Sequence, residues 1–167
     1  MTRNKKSLTK FVKNVIYLIT QYGFDGVDYN WEYPGYEFGR GYGQVVDVEK
    51  DYSGLANLIR ETRKQLNILE AANNVMTKID PYILTMAYYP DGKQERMLFR
   101  GKIHKKVDYM HMMTYDQSDP MHSTYDFTVR AIKQAVDAEL PSHKLTIGQL
   151  AICRYVHKIS YYNYYYH

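Results

Sequence analysis

Leu8, Val12, Val15 and Ile19 recur at steps of four, three and four residues, which is one face of an amphipathic helix. Gly23 stands where such a helix would stop. Residues 24–32 then switch to alternation and read as a strand, followed by a loop over 33–49 rich in glycine and aromatics. Asp51 or Ser53 is placed to cap a helix over 54–69, with Leu55, Leu58, Ile59 and Leu66 on its apolar side. A connection over 70–80 leads to YILTMAYYP (82–90), a second strand closed by Pro90-Asp91-Gly92. A short helix over 94–104, a third strand over 107–116, a helix over 124–140 stopped by Pro141 and a fourth strand over 144–152 complete the pattern. Helix and strand alternate throughout with short connections, which predicts parallel strands and an α/β architecture. Alternation alone leaves an open sheet and a closed barrel equally open.

The first strand breaks the pattern expected of a buried parallel strand, which is apolar on both faces. In FDGVDYNWEYPG (24–35), Val27, Tyr29 and Trp31 share one face, and Asp28, Asn30 and Glu32 share the other. Two residues of strand rise separate neighbours on that polar face by about 6.5 Å. Burying ionised groups without partners costs several kcal/mol, so the ladder requires an explanation. A solvent-facing edge strand or a structural hydrogen-bond network is one. Chemistry is the other, and it is favoured by Glu32 coming last, at the carboxyl-terminal end where α/β folds place their sites.

Composition narrows the class without changing it. The chain has 167 residues, 45% of them hydrophobic, and a formal charge of +4, as expected of one globular domain with a core. Lysines and arginines are scattered among acids, so nucleic acid is not the expected partner. The one cysteine, Cys153, excludes an internal disulfide framework and reads as a small buried apolar residue. Lys13 and Asn14 interrupt the apolar run near the amino terminus, so no signal peptide is read there, and no run is long enough to span a bilayer. His104, His111 and His122 lack metal-ligand spacing, and Met110, Met112 and Met113 read as core filler; neither metal nor cofactor is expected. Several of the 19 tyrosines crowd the tail YYNYYYH (161–167), which has no period and reads as irregular. The expected division is a domain over 1–152 and a tail over 153–167.

FDGVDYNWEYP resembles the signature strand of glycoside hydrolase family 18, the chitinases and their relatives: D-x-x-D-x-D-x-E within F-D-G-x-D-x-D-W-E-Y-P. Asp25, Asp28 and Glu32 match it, and Asn30 departs from it, because active members carry Asp there. DYMHMMTYD resembles the family strand ending M-x-Y-D, which implies substrate-site roles for Met113, Tyr115 and Asp116. DYSGLANLIRETRKQL and HKLTIGQLAI resemble the helix after the signature strand and the later K-L-x-x-G strand. The resemblance covers roughly residues 8–152 and implies an incomplete (β/α)8 barrel, about its strands four to seven. The first three strands and the eighth, with its indole floor, have no counterpart here, and Trp31 faces the other way.

The family is an exception to two-carboxylate hydrolysis, because the substrate's own N-acetyl group attacks the anomeric carbon. The resemblance implies Glu32 as general acid, position 30 as the group that holds the acetamido N–H and stabilises the developing cation, and Asp28 as its orienter. It further implies that Tyr115 binds the acetamido oxygen and that Asp116 holds sugar hydroxyls. Asp25, Tyr33, Tyr36, Phe38 and Tyr42 are candidates for sugar contact, the aromatics by stacking; ordinary packing is the alternative for them. Asn30 keeps the size of Asp without its charge, so catalysis is expected to be weakened. Three readings follow: a chitinase-type hydrolase fragment acting on β-1,4-linked N-acetylglucosamine polymers, a non-catalytic binder of chitin or its oligosaccharides, and a truncated product with open sheet edges.

Overall fold

A computed structural model describes residues 4–37, 39–73, 80–117 and 122–149. Phe38, Cys153, the tyrosine-rich tail and the end of the fourth predicted strand lie outside the described residues. Helix α1 spans Lys5–Tyr22, capped by the Asn4 side chain, which accepts from the Ser7 N–H at 3.1 Å, and stopped by Gly23 in the left-handed region at φ 68°. Its apolar stripe buries Leu8, Val12 and Ile19, as the four-three-four spacing predicts. Strand β1 (Gly26–Asn30) follows, then a small antiparallel hairpin of β2 (Tyr36–Glu37) and β3 (Gly41–Tyr42), helix α2 (Val45–Asn73) and strand β4 (Ile83–Tyr88). Helix α3 (Lys93–Arg100), strand β5 (Tyr109–Met113), helix α4 (Tyr125–Asp137) and strand β6 (Leu145–Gly148) complete the order.

The sheet runs β1-β4-β5-β6, every pair parallel, in chain order. This is the parallel α/β architecture expected from the alternation, and it fits the incomplete (β/α)8 barrel that the resemblance implies. Leu84, Met86, Tyr88, Met110 and Met112 point to the helical face and form the core with Val48, Tyr52, Leu55, Ile59 and Leu66 of α2 and Leu98 of α3. The opposite face carries Asp28, Asn30, Ile83, Tyr109 and His111, all exposed or half-buried. Strand β1 is therefore a sheet edge and its polar ladder meets solvent, so the ladder's desolvation cost is largely avoided.

Several boundaries differ from those predicted, three of them with a clear physical reason. Helix α2 begins at Val45 rather than near residue 54, because Val48 and Tyr52 extend its buried seam by two turns. Asp51 is not its cap; one carboxylate oxygen accepts the Gly35 N–H at 3.0 Å and ties the loop to the helix. The predicted loop holds the hairpin, whose turn uses Gly39 and Gly41 at positive φ and whose two-residue strands are too short to show alternation. Strand β1 also ends at Asn30, which places Glu32 just beyond the strand.

Two features fix the sheet under the helices. At Gly26 a Cβ would lie 1.9 Å from the Ile83 carbonyl oxygen, so only glycine permits β1 to approach β4 this closely. From α2, Arg63 donates to the Lys106 and Tyr82 carbonyls, each at 3.0 Å, and to Asp108 Oδ2 at 2.5 Å. The same Asp108 oxygen accepts the Leu84 N–H at 2.7 Å, so one guanidinium holds the amino-terminal ends of β4 and β5 together.

Candidate active site

Parallel strands bring the residues that follow them to one rim of the sheet. Glu32 and Tyr33 follow β1, Tyr89 and Asp91 follow β4, and Tyr115 and Asp116 follow β5. Glu32 is exposed, and its Oε1 accepts from Asn30 Nδ2 at 2.7 Å. The amide is thus turned toward the acid. Asp28, one rung below, is bound differently: its Oδ1 accepts the Thr85 hydroxyl at 2.5 Å and faces His111 Nε2 at 3.6 Å. His111 Nδ1 is in turn 2.5 Å from Thr146 Oγ1. Register explains the reach. Asn30, Ala87 and His111 lie in one row across β1, β4 and β5, and the small Ala87 leaves room for the imidazole to lean toward Asp28.

Tyr115 is half-buried, and its hydroxyl is pushed up in pKa by burial first, then by the charges of Glu32 and Asp116. Tyr115 and Glu32 thus stand close enough on one side of the sheet for their charges to interact. Tyr33 is pushed up to about 12 by burial, with smaller contributions from Glu32, Tyr89, Asp116 and Tyr115. Asp116 sits at φ 59° with His122 Nδ1 3.9 Å from its Oδ1. Met113 closes β5 almost fully buried. A row of rings crosses the rim: Tyr42 and Tyr36 at 5.2 Å, Tyr36 and Tyr33 at 5.9 Å, Tyr33 and Tyr89 at 5.9 Å, Tyr89 and Phe127 at 5.7 Å. Such faces suit the apolar sides of sugar rings.

Of the residues singled out from sequence, Asn30, Glu32, Tyr33, Tyr36, Tyr42, Met113, Tyr115 and Asp116 come together here, with Asp28 one rung below. Asp25 does not join them. It precedes β1 and lines a cleft at the opposite end of the sheet with Asp80, Pro81 and Tyr82, roughly 20 Å of strand rise from Glu32. Trp31 packs on the helical side, as its alternation requires. His111, Thr85, Thr146, Tyr89 and Phe127 were not anticipated. For His111 the signal was present: Tyr109, His111 and Met113 alternate onto the face of the ladder. Among the described residues, no group of three or more His, Cys, Asp and Glu could hold a metal ion, and no helix is long and apolar enough to cross a membrane.

The chain is similar to known proteins in sequence and in fold. Over 114 residues the chain is 31% identical to sporulation-specific chitinase 2 of Saccharomyces cerevisiae, an alignment covering 68% of this chain and 20% of the yeast protein. Among solved structures, chitinase ChiA74 from Bacillus thuringiensis superposes with a TM-score of 0.70 at 24% identity, over 89% of this chain and 25% of that one. A class V chitinase from Nicotiana tobaccum in complex with NAG4 gives 0.65 at 21% identity, over 88% and 42%. The chain therefore spans a fifth of that curated relative and a quarter to two-fifths of those structures. Residues 1–160 match the family described as Glycosyl hydrolases family 18, and the chain belongs to that family.

Proposed function

We propose that this chain carries the acid-bearing part of a chitinase-type site and acts on β-1,4-linked N-acetylglucosamine oligosaccharides by substrate-assisted, retaining hydrolysis. The observation that carries the reading is the meeting of Glu32, Asn30, Tyr115 and Asp116 at the carboxyl-terminal rim, each from the motif position that the family uses. Glu32 gives its proton to the glycosidic oxygen as that oxygen leaves the anomeric carbon. The acetamido carbonyl oxygen of the same sugar closes onto that carbon and forms an oxazolinium ion. Asn30 Oδ1 accepts the acetamido N–H, the Tyr115 hydroxyl donates to the acetamido oxygen, and Asp116 accepts from sugar hydroxyls. Water, deprotonated by Glu32, then opens the ring with net retention. The aromatic row from Tyr42 to Phe127 provides stacking surfaces beside the acid.

The Asn30–Glu32 hydrogen bond supports a second reading. The Asn30 amide occupies one oxygen of Glu32 and brings no negative charge to a developing cation. A groove that binds oligosaccharide with little turnover fits these facts. The two readings part in one experiment: hydrolysis of a fluorogenic chitobioside by the purified chain and by Glu32→Gln, with tetrasaccharide binding measured calorimetrically on both. Turnover lost in Glu32→Gln supports the hydrolase. Binding by both proteins without turnover supports the binder, and neither activity from a folded chain removes both readings.

A further inference from the structure

Glu95 is 0% exposed, and no side chain among the described residues hydrogen-bonds its carboxylate, which has only the backbone N–H groups of Asp91, Gly92 and Glu95 near it. It lies in the first turn of α3 and packs into the layer between β4 and α2. The groups facing it are Tyr52 of α2, Tyr88 of β4 and Asp91 of the β4–α3 turn. The Tyr52 and Tyr88 hydroxyls are themselves buried and without partners. An isolated ionised carboxylate in such a place is the costliest state available to it, and Asp91 adds a like charge.

The turn that holds Glu95 also holds the hairpin. Asp91 Oδ1 caps α3 by accepting the Lys93 and Gln94 N–H groups, both at 2.8 Å. Its Oδ2 accepts the Tyr42 hydroxyl at 3.3 Å, Gln94 Nε2 donates to that hydroxyl at 3.3 Å, and Lys93 Nζ lies 4.7 Å over the Tyr42 ring. Tyr42 continues through Tyr36 to Tyr33, beside Glu32. Asp91, Lys93 and Gln94 therefore seat β3, and the next residue, Glu95, is a buried acid with no side-chain partner.

We propose that Glu95 is a proton-operated latch on the β2–β3 hairpin: with its proton it keeps the first turn of α3 packed beneath Tyr42, and on losing it the turn opens and releases the hairpin that carries Tyr36 and Tyr42. The latch is independent of the sugar chemistry. Burial first, then Asp91, pushes the Glu95 carboxyl up to about 7, while backbone N–H groups of Glu95, Gly92 and Asp91 hold it down in part. In the opened turn the acid returns to its ordinary value of 4.5. The closed form thus binds the proton more tightly, is most favoured below that lower value, and loses ground as pH rises from 4.5 to about 7. Above that range the loss is complete and constant.

Amide hydrogen exchange read residue by residue tests this on the full chain. After correction for intrinsic exchange, protection at Gly43, Lys93 and Gln94 is expected to fall roughly thirtyfold between about pH 5.5 and pH 8.5. Glu95→Gln keeps the shape of the neutral acid and cannot ionise, so its protection at those amides stays flat; Glu95→Met serves if the amide variant does not fold. His104, stacked on Phe99 at 5.1 Å beyond the other end of α3, is common to all three proteins and cancels in the comparison. The same pH trend in the parent and in Glu95→Gln overturns the proposal. So does an equal fall at Met86 and Met110 in the central strands, which would make Glu95 a determinant of global stability alone.

Discussion

Replacing Asn30 by aspartate tests what limits the site. Asn30 Nδ2 now donates to Glu32 Oε1 at 2.7 Å. At an exposed position such a bond is worth about 1 kcal/mol net. Asn30→Asp removes the donor and sets two carboxylates at about the same separation. Both groups face solvent, so the effective dielectric is near that of water and the repulsion is about 1.5 kcal/mol. The sum, about 2.5 kcal/mol, favours the protonated pair by somewhat under a hundredfold. The new charge also faces the oxazolinium ion as it forms. Both effects act on the transition state more than on substrate binding, so kcat on a fluorogenic chitobioside should rise about tenfold to a hundredfold while KM stays within about twofold. Initial rates of the parent, Asn30→Asp and Asn30→Asp/Glu32→Gln, at matched circular dichroism, decide the matter. Equal kcat in folded parent and variant would refute the reasoning and move the limitation to the open face of the sheet.

Two further expectations concern the scaffold. Arg63→Ala removes three hydrogen bonds, one to the half-exposed Asp108 carboxylate, and should lower stability by about 3 kcal/mol, read as a shift of the urea midpoint by Trp31 fluorescence; a loss under about 1 kcal/mol would show that the clamp does not hold the strand ends. Gly26→Ala drives a methyl against the Ile83 carbonyl, where the contact would be 1.9 Å, and should detach the edge strand. Amides of β1 should then lose protection while those of β5 keep theirs, and unchanged protection in β1 would contradict the close approach.

Much of this molecule is local and was legible as such. The stripe of α1, its stop at Gly23, the chain-order parallel strands and the shared face of Asp28 and Asn30 follow from the 3.6- and two-residue periods of single elements, which backbone geometry alone sets. The signature motif carried the family, and most of the rim residues came with it. What the chain could not show locally are contacts between elements far apart in sequence. Helix α2 starts early because Val48 and Tyr52 find a core to enter, and a tyrosine does not announce that choice. Asp28 is bound by Thr85 and faced by His111 because register sets a small Ala87 between β1 and β5. Asp25 matches the motif yet lies at the far end of its strand, since a strand separates its two ends while a motif only counts residues. The first turn of α3 carries the acid Glu95 fully buried, and only the tertiary structure could decide that, because burial is a property of what lies opposite.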